Sequence, residues 1–120
     1  MAKLISSPSI VKAEGKLEKI IEEFVGVVNT KTQNVSIALM TSPSGWEEPG
    51  QTPEFDEYSV VIRGTLRAEG RDSVTEAGPG QAIYAARGEW VRYSTPGEEG
   101  AQYIAVCLPA FTPVTVHRDE

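Results

Sequence analysis

Seven short β-rich runs, separated by glycine, proline and polar residues, set the tightest limit on how this chain folds. They occupy about seventy-five residues after Asn34, with no room for a helix between neighbouring runs. Runs spaced so closely favour antiparallel pairing, because parallel strands need long crossover connections. The sequence therefore predicts an all-β sandwich or barrel rather than alternating strands and helices. The runs are VSIALM, YSVVIR, TLRAE, SVTEA, QAIYAA, WVRYS and QYIAVCL.

Turn residues between these runs indicate how the strands connect. The stretch EGRD at Glu69 to Asp72 is typical of a hairpin tip, and AGPG at Ala77 to Gly80 predicts a turn into the next strand. Pro109 and Pro113 stiffen the last stretch, PAFTPVTVHRDE, which we expect to wrap around the outside of the barrel.

The first thirty residues have a different texture. The stretch GKLEKIIEEFVGVV places Leu17, Ile20, Ile21 and Phe24 at helical spacing, with charged residues between them. This pattern predicts one short amphipathic helix that ends near Gly26 and packs on the barrel. We accordingly expect an N-terminal arm and helix over residues 1–30 and a barrel with a C-terminal extension over residues 31–120.

Composition excludes several classes of function. Seventeen acidic and eleven basic residues give a formal charge of −6, and the basic residues are scattered, so nucleic acid is not an expected partner. No apolar run is long enough to span a membrane, which favours a cytoplasmic protein. The single cysteine, Cys107, lies in the apolar stretch YIAVCLPAF and is expected to be a buried, inert thiol.

Two stretches carry a fixed frame of residues. In GWEEPGQTPEFDEYSVVIRG the frame consists of Gly45, Gln51, Pro53, Glu57 and Gly64. In GQAIYAARGEWVRYST, fifteen residues further on, it consists of Gly80, Ala86, Gly88, Val91 and Thr95.

These frames resemble the two sequence motifs of the cupins, and together with the strands they span about residues 35 to 110. The resemblance is to small single-domain cupins such as those of ethanolamine utilisation. It implies a cupin double-stranded β-helix, or jelly-roll barrel, with the short N-terminal helix packed on it.

The resemblance also implies which positions face the barrel interior. Typical cupins bind metal through two histidines and a glutamate of the first motif and a histidine of the second. Those positions are Gln51, Pro53, Glu57 and Val91 here, so only the glutamate is kept. Proline and valine side chains offer no donor to a transition metal, so we expect neither a metal nor another cofactor.

Strand alternation yields a second candidate chemistry for the interior. Ser59 shares a strand face with Glu57, and Tyr93 shares another with Glu89. If Glu57 points inward, as the resemblance implies, both faces line the cavity, and one carboxyl of the acid pair would have a raised pKa. We therefore take Glu57, Glu89 and Tyr93 as candidate catalytic residues for acid–base chemistry.

The remaining candidates contact a ligand rather than react with it: Gln51, Trp46, Ser59, Trp90 and Arg92. The tryptophans, with Phe55 and Tyr93, suit stacking on a planar ligand, and they suit a core or an interface equally well. Arg92 suits a bidentate contact with a substrate carboxylate, although alternation aims it away from Val91. Glu57 itself has a structural alternative, pairing with Arg63, Arg92 or a backbone donor.

Three functions follow from these residues. The first is a small-molecule-binding barrel, with metal-independent isomerase, lyase or cyclase chemistry at Glu57. The second is an enzyme with an oxygen-rich metal site built from Gln51, Glu57 and a donor such as Glu54, Asp56 or His117. The third is a non-catalytic sensor or accessory protein. The resemblance also implies a homodimer, because small cupins cover outward apolar residues by dimerisation.

Overall fold

Two antiparallel sheets built from ten strands make up the protein, in a computed structural model that describes all 120 residues. No helix is present, and so none that could cross a membrane. The strands are β1 (Ser9–Val11), β2 (Ile20–Val25), β3 (Ser36–Ser42), β4 (Trp46–Glu47), β5 (Asp56–Gly64), β6 (Leu66–Glu69), β7 (Val74–Ala77), β8 (Ala82–Ala85), β9 (Arg92–Thr95) and β10 (Ala101–Leu108).

The larger sheet has six strands in the order β1-β2-β3-β10-β5-β8, and the smaller has four in the order β4-β9-β6-β7. Successive segments cross between the sheets, which is the jelly-roll arrangement that the sequence predicts. All seven predicted runs form strands, and the predicted hairpin tip joins β6 to β7.

The core lies between the two sheets and is made by the inward positions of both. Along β10 every second residue is buried, from Ala101 to Cys107, as period-two alternation requires. Leu66 and Val61 are almost fully buried at the centre of the larger of two apolar clusters. Phe55, Cys107 and Val116 form the smaller cluster near one end.

The predicted N-terminal helix is wrong. Residues 20–25 form strand β2, which pairs with β1 on one side and β3 on the other. The stretch IIEEFV carries β-branched residues at both ends, and its apolar positions fit a strand pairing with neighbours as well as a helical face. Pairing with β3 satisfies the backbone within the sheet, so tertiary contacts decide between the two periods.

The C-terminal segment lies along the barrel, beside the loop between β4 and β5. Backbone N–H groups of Thr52 and Glu54 donate to the carbonyls of His117 and Thr115, at 3.1 and 3.0 Å. Asp119 donates back to the carbonyl of Gly50 at 2.8 Å. These bonds fix the segment and direct one of its side chains, Arg118, to the interior.

Gly64 joins the two sheets at a point where no side chain fits. Its φ is 75°, and a Cβ placed there would lie 2.0 Å from the carbonyl oxygen of Gly100. Gly80, the glycine that begins the second frame, has φ 80° but nothing within 4 Å of an added Cβ. The two glycines therefore separate the cost of the left-handed backbone from the cost of the close approach.

We expect Gly64→Ala to lower the free energy of unfolding by more than about 3 kcal/mol, and Gly80→Ala by about 1 kcal/mol. The first variant adds a backbone collision to the left-handed strain that both variants share. Urea denaturation of both proteins measures the difference. Equal losses of stability would contradict a role for the close contact between Gly64 and Gly100.

Candidate functional site

A partly open cavity of about 60 Å³ lies on the inner face of the larger sheet, lined by β1, β2, β3, β5 and β10, by Tyr93 of the smaller sheet and by the C-terminal segment. That volume holds a few waters or a compact organic group. Its walls are apolar along β3 and charged at the end nearest the loop after β4. The charged and polar side chains that line it are Lys19, Glu23, Ser36, Glu48, Gln51, Glu57, Tyr93, Tyr103 and Arg118.

Three carboxyl groups line this cavity, and those of Glu57 and Glu48 act on each other's charge. Glu57 lies on β5, and its side chain is buried by strand alternation. Burial and the neighbouring carboxylate of Glu48 raise the pKa of Glu57 to about 7. Burial also raises the pKa of Glu48, while Lys19 and Arg118 act in the opposite direction. The cavity therefore contains an acid that gains and loses its proton near neutral pH.

Lys19 is the second charged element, and it enters the cavity just before β2. Its Nζ donates to the Tyr103 hydroxyl at 2.6 Å and lies 3.9 Å from the centroid of the Trp46 ring. Burial lowers the pKa of Lys19 to about 8, although Glu48 and Glu57 favour its charged form. Both aromatic contacts hold the ammonium in one position.

Arg118 supplies a second cation from the C-terminal segment. The backbones of Gln51 and Arg118 pair as an isolated bridge, which sets Arg118 opposite the first frame. Its guanidinium also lies over the ring of Phe111, with the carbon 5.6 Å from the ring centroid. Carboxyl groups and cations thus meet in one cavity, contributed by four separate segments of chain.

Several buried polar atoms have no hydrogen-bond partner within the protein. They include the Tyr93 hydroxyl and Nε of Arg118, both on residues that line the cavity, and Oγ of Ser59, which does not line it. Buried polar groups are usually paired, because an unpaired group costs about 1–3 kcal/mol. The Tyr93 hydroxyl and Nε of Arg118 are therefore unpaired donors on residues of the cavity wall.

The structure brings some of the sequence-predicted residues together and separates others. Gln51, Glu57 and Tyr93 line the cavity. Ser59 and Trp46 are buried in the adjacent core, where Trp46 contacts the cavity only through Lys19.

The other three candidates lie on the outside. Trp90 donates its indole N–H to Asp119 at 2.8 Å, and Nη2 of Arg92 donates to both carboxylate oxygens of Glu69 at 3.1 Å. Glu89 is the third of these candidates. None of the three side chains lines the cavity.

The expected pairing of Glu57 with Glu89 is wrong. Glu89 is exposed and follows a turn in which its N–H donates to the carbonyl of Ala86. Strand β9 begins only at Arg92, so strand alternation does not extend back to Glu89. The second acid of the cavity is Glu48 instead. The alternative in which Arg63 or Arg92 pairs with Glu57 is not seen either, since these arginines contact Glu99 and Glu69.

The residues at the four motif positions do not fit the metal centre that the cupin motifs imply. Gln51 and Val91 do lie together, joined by two backbone hydrogen bonds of 2.9 Å, so the two motifs meet as in the expected barrel. Yet Pro53 and Val91 have no donor atom, and nowhere do three His, Cys, Asp or Glu side chains converge to hold an ion. Lys19 and Arg118 occupy the same cavity, where their charges oppose a cation.

The donors considered for an oxygen-rich site lie away from Glu57. Glu54 and His117 pair with each other on the surface. Asp56 accepts from the backbone and side chain of Arg87, and these bonds lower its pKa.

Sequence reasoning missed Lys19, Glu48, Tyr103 and Arg118. Lys19, Ile21 and Glu23 all line the cavity, so period-two alternation through β2 would have revealed the lysine. Tyr103 has the same parity as Ala105 and Cys107 on β10, which also face inward. Glu48 and Arg118 come from irregular segments, and no local pattern in the sequence identifies their direction.

Comparison with known proteins adds the fold class. No protein-family model matches the chain. The oxalate decarboxylase of Bacillus subtilis superposes with a TM-score of 0.77 at 19% identity, covering 95% of this chain and 30% of that one. The polyketide cyclase RemF of Streptomyces resistomycificus gives 0.75 at 19% identity, covering 100% and 86%. EutQ of Clostridium difficile gives 0.61 at 22% identity, covering 77% and 63%.

These are cupin proteins, and the chain has the cupin fold. EutQ is one of the cupin proteins to which this chain is similar. In sequence it is 43% identical over 103 residues to the endoribonuclease YbeY of Myxococcus xanthus, a match that covers 84% of this chain. The chain spans about a third of that curated relative, 34% of its length.

Proton binding at Glu57 predicts a pH-dependent stability. The folded protein holds this proton with a pKa of about 7 against an ordinary value of 4.5, so ionisation in the folded state is unfavourable. Stability from this group is therefore full below about pH 4.5 and is lost as the pH rises through 7. Relative to Glu57→Gln, the wild-type protein should lose about 2 kcal/mol between pH 5 and 7.5.

Urea denaturation at both pH values checks this, with Ser59→Ala as the control. Ser59 is buried on the same strand face and carries no charge, so its effect should not change with pH. A wild-type advantage over Glu57→Gln that stays constant would show that Glu57 is ionised throughout.

Proposed function

We propose that the barrel binds a compact organic anion in its interior cavity and that Glu57 exchanges a proton with it. The observation that carries the proposal is the combination of Lys19, Arg118 and the unpartnered Tyr93 hydroxyl on one cavity. Such a set offers several donors to one oxygen-rich ligand. The small volume of the cavity supports a ligand of a few non-hydrogen atoms.

The cationic donors of the cavity favour an anion. Glu23 accepts from the backbone N–H groups of Val28 and Asn29, at 3.0 and 2.9 Å, so its carboxylate has donors of its own. Lys19 and Arg118 are left to Glu48, Glu57 and a ligand. A ligand carboxylate gives both cations a partner, and its charge helps to hold the proton on Glu57.

Acid–base chemistry follows from the pKa of Glu57. A carboxyl group that titrates near neutrality serves both as the base that removes a proton and as the acid that returns it. Removal of a proton next to a carbonyl group needs a base, a cation to stabilise the enolate and exclusion of water, and Lys19 lies in the same cavity to serve as that cation. Isomerases, lyases and cyclases share this step, and RemF is named as a cyclase.

The proposal includes a barrel that works without the histidine-bound metal of the cupin motifs. Lys19 and Arg118 provide the positive charge near Glu57 that a metal would otherwise provide. This assignment rests on side-chain chemistry at Pro53 and Val91 and on the cations in the cavity.

An accessory role is the second candidate, supported by the relative from M. xanthus. Only about a third of that longer protein corresponds to this chain, so a barrel of this kind occurs as one part of a larger protein. In this role the cavity binds its anion without turnover.

That relative is named an endoribonuclease, so RNA cleavage is another function to consider for this chain. The formal charge of −6 and the small cavity both oppose binding of a polynucleotide here. We therefore do not assign RNA cleavage to this barrel.

Solvent-exchange measurements distinguish turnover from binding. In deuterium oxide, wild-type protein should catalyse exchange of the carbon-bound protons of pyruvate or acetoacetate, followed by proton NMR. Glu57→Gln should slow the exchange by about 100-fold or more while retaining the ligand-induced rise in Tm. Glu54→Gln, a surface carboxylate, is the control and should retain the full rate.

A rise in Tm without exchange in wild-type protein would favour the accessory role. Neither exchange nor a rise in Tm with any small carboxylate would remove the proposed function altogether.

We further propose a cytoplasmic homodimer formed through the outer face of the larger sheet. This outer apolar face contains stacked Tyr58 and Tyr84, with ring centroids 4.9 Å apart. A second copy is the partner that suits it, because a flat apolar face is complementary to itself across a two-fold axis. The unpaired thiol of Cys107 is consistent with a reducing compartment. The exposed apolar residues of the face are Tyr58, Val60, Ile62, Tyr84 and Leu108.

Val60→Glu should convert the dimer to a monomer, because it places a carboxylate in the middle of this face. Val74→Glu is the matched control, since Val74 is an exposed valine on a strand of the other sheet. Light scattering coupled to size-exclusion chromatography measures the mass of each protein. A wild-type monomer, or a dimer that survives Val60→Glu, would contradict the proposed interface.

A further inference from the structure

We infer that Lys19 is a carbonyl-reactive amine, and that the cavity takes small oxo acids as a covalent imine at its Nζ. This inference rests on the proposed function, since it names the chemical class of the anion and the atom that it meets. Two features of the molecule support it, the position of the lysine and the groups that surround its nitrogen.

Lys19 is unlike the other lysines of the chain in its position. Its side chain enters the cavity, whereas Lys3, Lys12, Lys16 and Lys31 are exposed. Lys16, three residues earlier, leaves 77% of its side chain in solvent and sits 3.8 Å from Glu47. Among the five lysines, only Lys19 shares an interior space with groups that can move protons.

The contacts of Lys19 hold the nitrogen in place without a direct ion pair. Nζ donates to the Tyr103 hydroxyl at 2.6 Å and lies over the Trp46 ring. None of the salt bridges of the protein includes it. Burial, the largest influence on its pKa, favours the neutral amine and brings the pKa to about 8. A partly neutral, immobilised amine is the form that attacks carbonyl groups.

Acids needed for imine formation line the same cavity. The neutral amine attacks the carbonyl carbon of the oxo acid, forming a C–N bond as the C=O pair moves onto oxygen. Protonated Glu57 gives its proton to the alkoxide, and the carboxylate of Glu48 takes a proton from the nitrogen. Glu48 then gives that proton to the hydroxyl group, the C–O bond breaks as the nitrogen lone pair forms the C=N bond, and water leaves with a protonated imine and ionised Glu57 remaining.

The carboxylate of the oxo acid has a partner as well. Arg118 lines the cavity with an Nε that has no hydrogen-bond partner in the protein. A 2-oxo acid thus matches the cavity at two points, its carbonyl carbon at Lys19 and its carboxylate at Arg118. The small volume limits the class to acids of a few carbons.

The reactivity of Lys19 is tested first with the smallest carbonyl compound. Formaldehyde and cyanoborohydride methylate amines, and peptide mapping by mass spectrometry reports each lysine separately. At pH 7 we expect Lys19 to react at least about tenfold faster than Lys16, because its neutral fraction is far larger. Equal or slower reaction at Lys19 would overturn the inference.

Glyoxylate and pyruvate then test the imine itself. With borohydride as the reductant, wild-type protein should gain the mass of one reduced adduct, located at Lys19. Lys19→Arg keeps the positive charge but cannot form the imine, and it should lose the adduct; Lys16→Arg is the matched control and should retain it. Arg118 also lowers the pKa of Lys19, so Arg118→Met should slow formaldehyde methylation as well. Trapping of glyoxylate should fall by about tenfold more than methylation does, because only glyoxylate has a carboxylate to lose its partner.

Failure of this inference is distinguishable from failure of the proposed function. Proton exchange that depends on Glu57 but is unaffected in Lys19→Arg, with no adduct in wild-type protein, would overturn the imine and leave the acid–base role. An adduct that persists in Lys19→Arg, or that spreads over the surface lysines, would overturn it as well. Should Lys19→Arg fail to fold, the peptide map of the wild-type protein alone decides the question.

Discussion

Strand β10 determines the interior of this protein, because it pairs with β3 along one side and with β5 along the other. Its residues Tyr103, Ala105 and Cys107 all line the cavity. A shift of one residue in this register would turn these side chains outward and Ile104 and Val106 inward. The cavity and its polar wall therefore exist only in the observed register. Glu57 lies directly opposite Cys107 in the same ladder, so its direction is set by the same pairing.

Charge compensation is the second constraint on the interior. Glu48 and Glu57 could not share a buried space without nearby positive charge, because each raises the cost of ionising the other. Lys19 and Arg118 lower that cost, and Tyr103 and Gln51 fix their approach through a hydrogen bond and a backbone bridge. Burial and the Glu48 carboxylate outweigh the two cations and raise the pKa of Glu57 to about 7. The cavity therefore exchanges a proton near neutral pH.

Much of the fold was predictable because its determinants are local. Glycine and proline separate the strands, and alternation identifies Glu57, Ser59 and Val61 as one buried face. The N-terminal segment was not predictable in this way, since IIEEFV fits either a helix or a strand until β3 offers it a partner. The same error concealed Lys19, because a helical assignment places the lysine on the solvent side. The predicted inward direction of Glu89 was wrong for the opposite reason. Strand alternation does not extend to this residue, because a turn separates it from strand β9. Arg118 depends on a segment that long-range contacts fix, among them backbone bonds with Gly50 to Glu54 and the packing of Val116 on Phe55 and Cys107.

The origin of the two cations has a consequence for dynamics. Lys19 and Arg118 lie in segments at the margin of the barrel, beside β2 and after β10, whereas Glu48 and Glu57 belong to residues 48–57. Segments held mainly by edge contacts open more often than central strands. Each opening would remove a cation from the cavity and expose the carboxyl groups to water. An anion bound to Lys19 and Arg118 together would tie both segments to the barrel. Amide hydrogen exchange would then slow in two regions that are almost a hundred residues apart in the sequence.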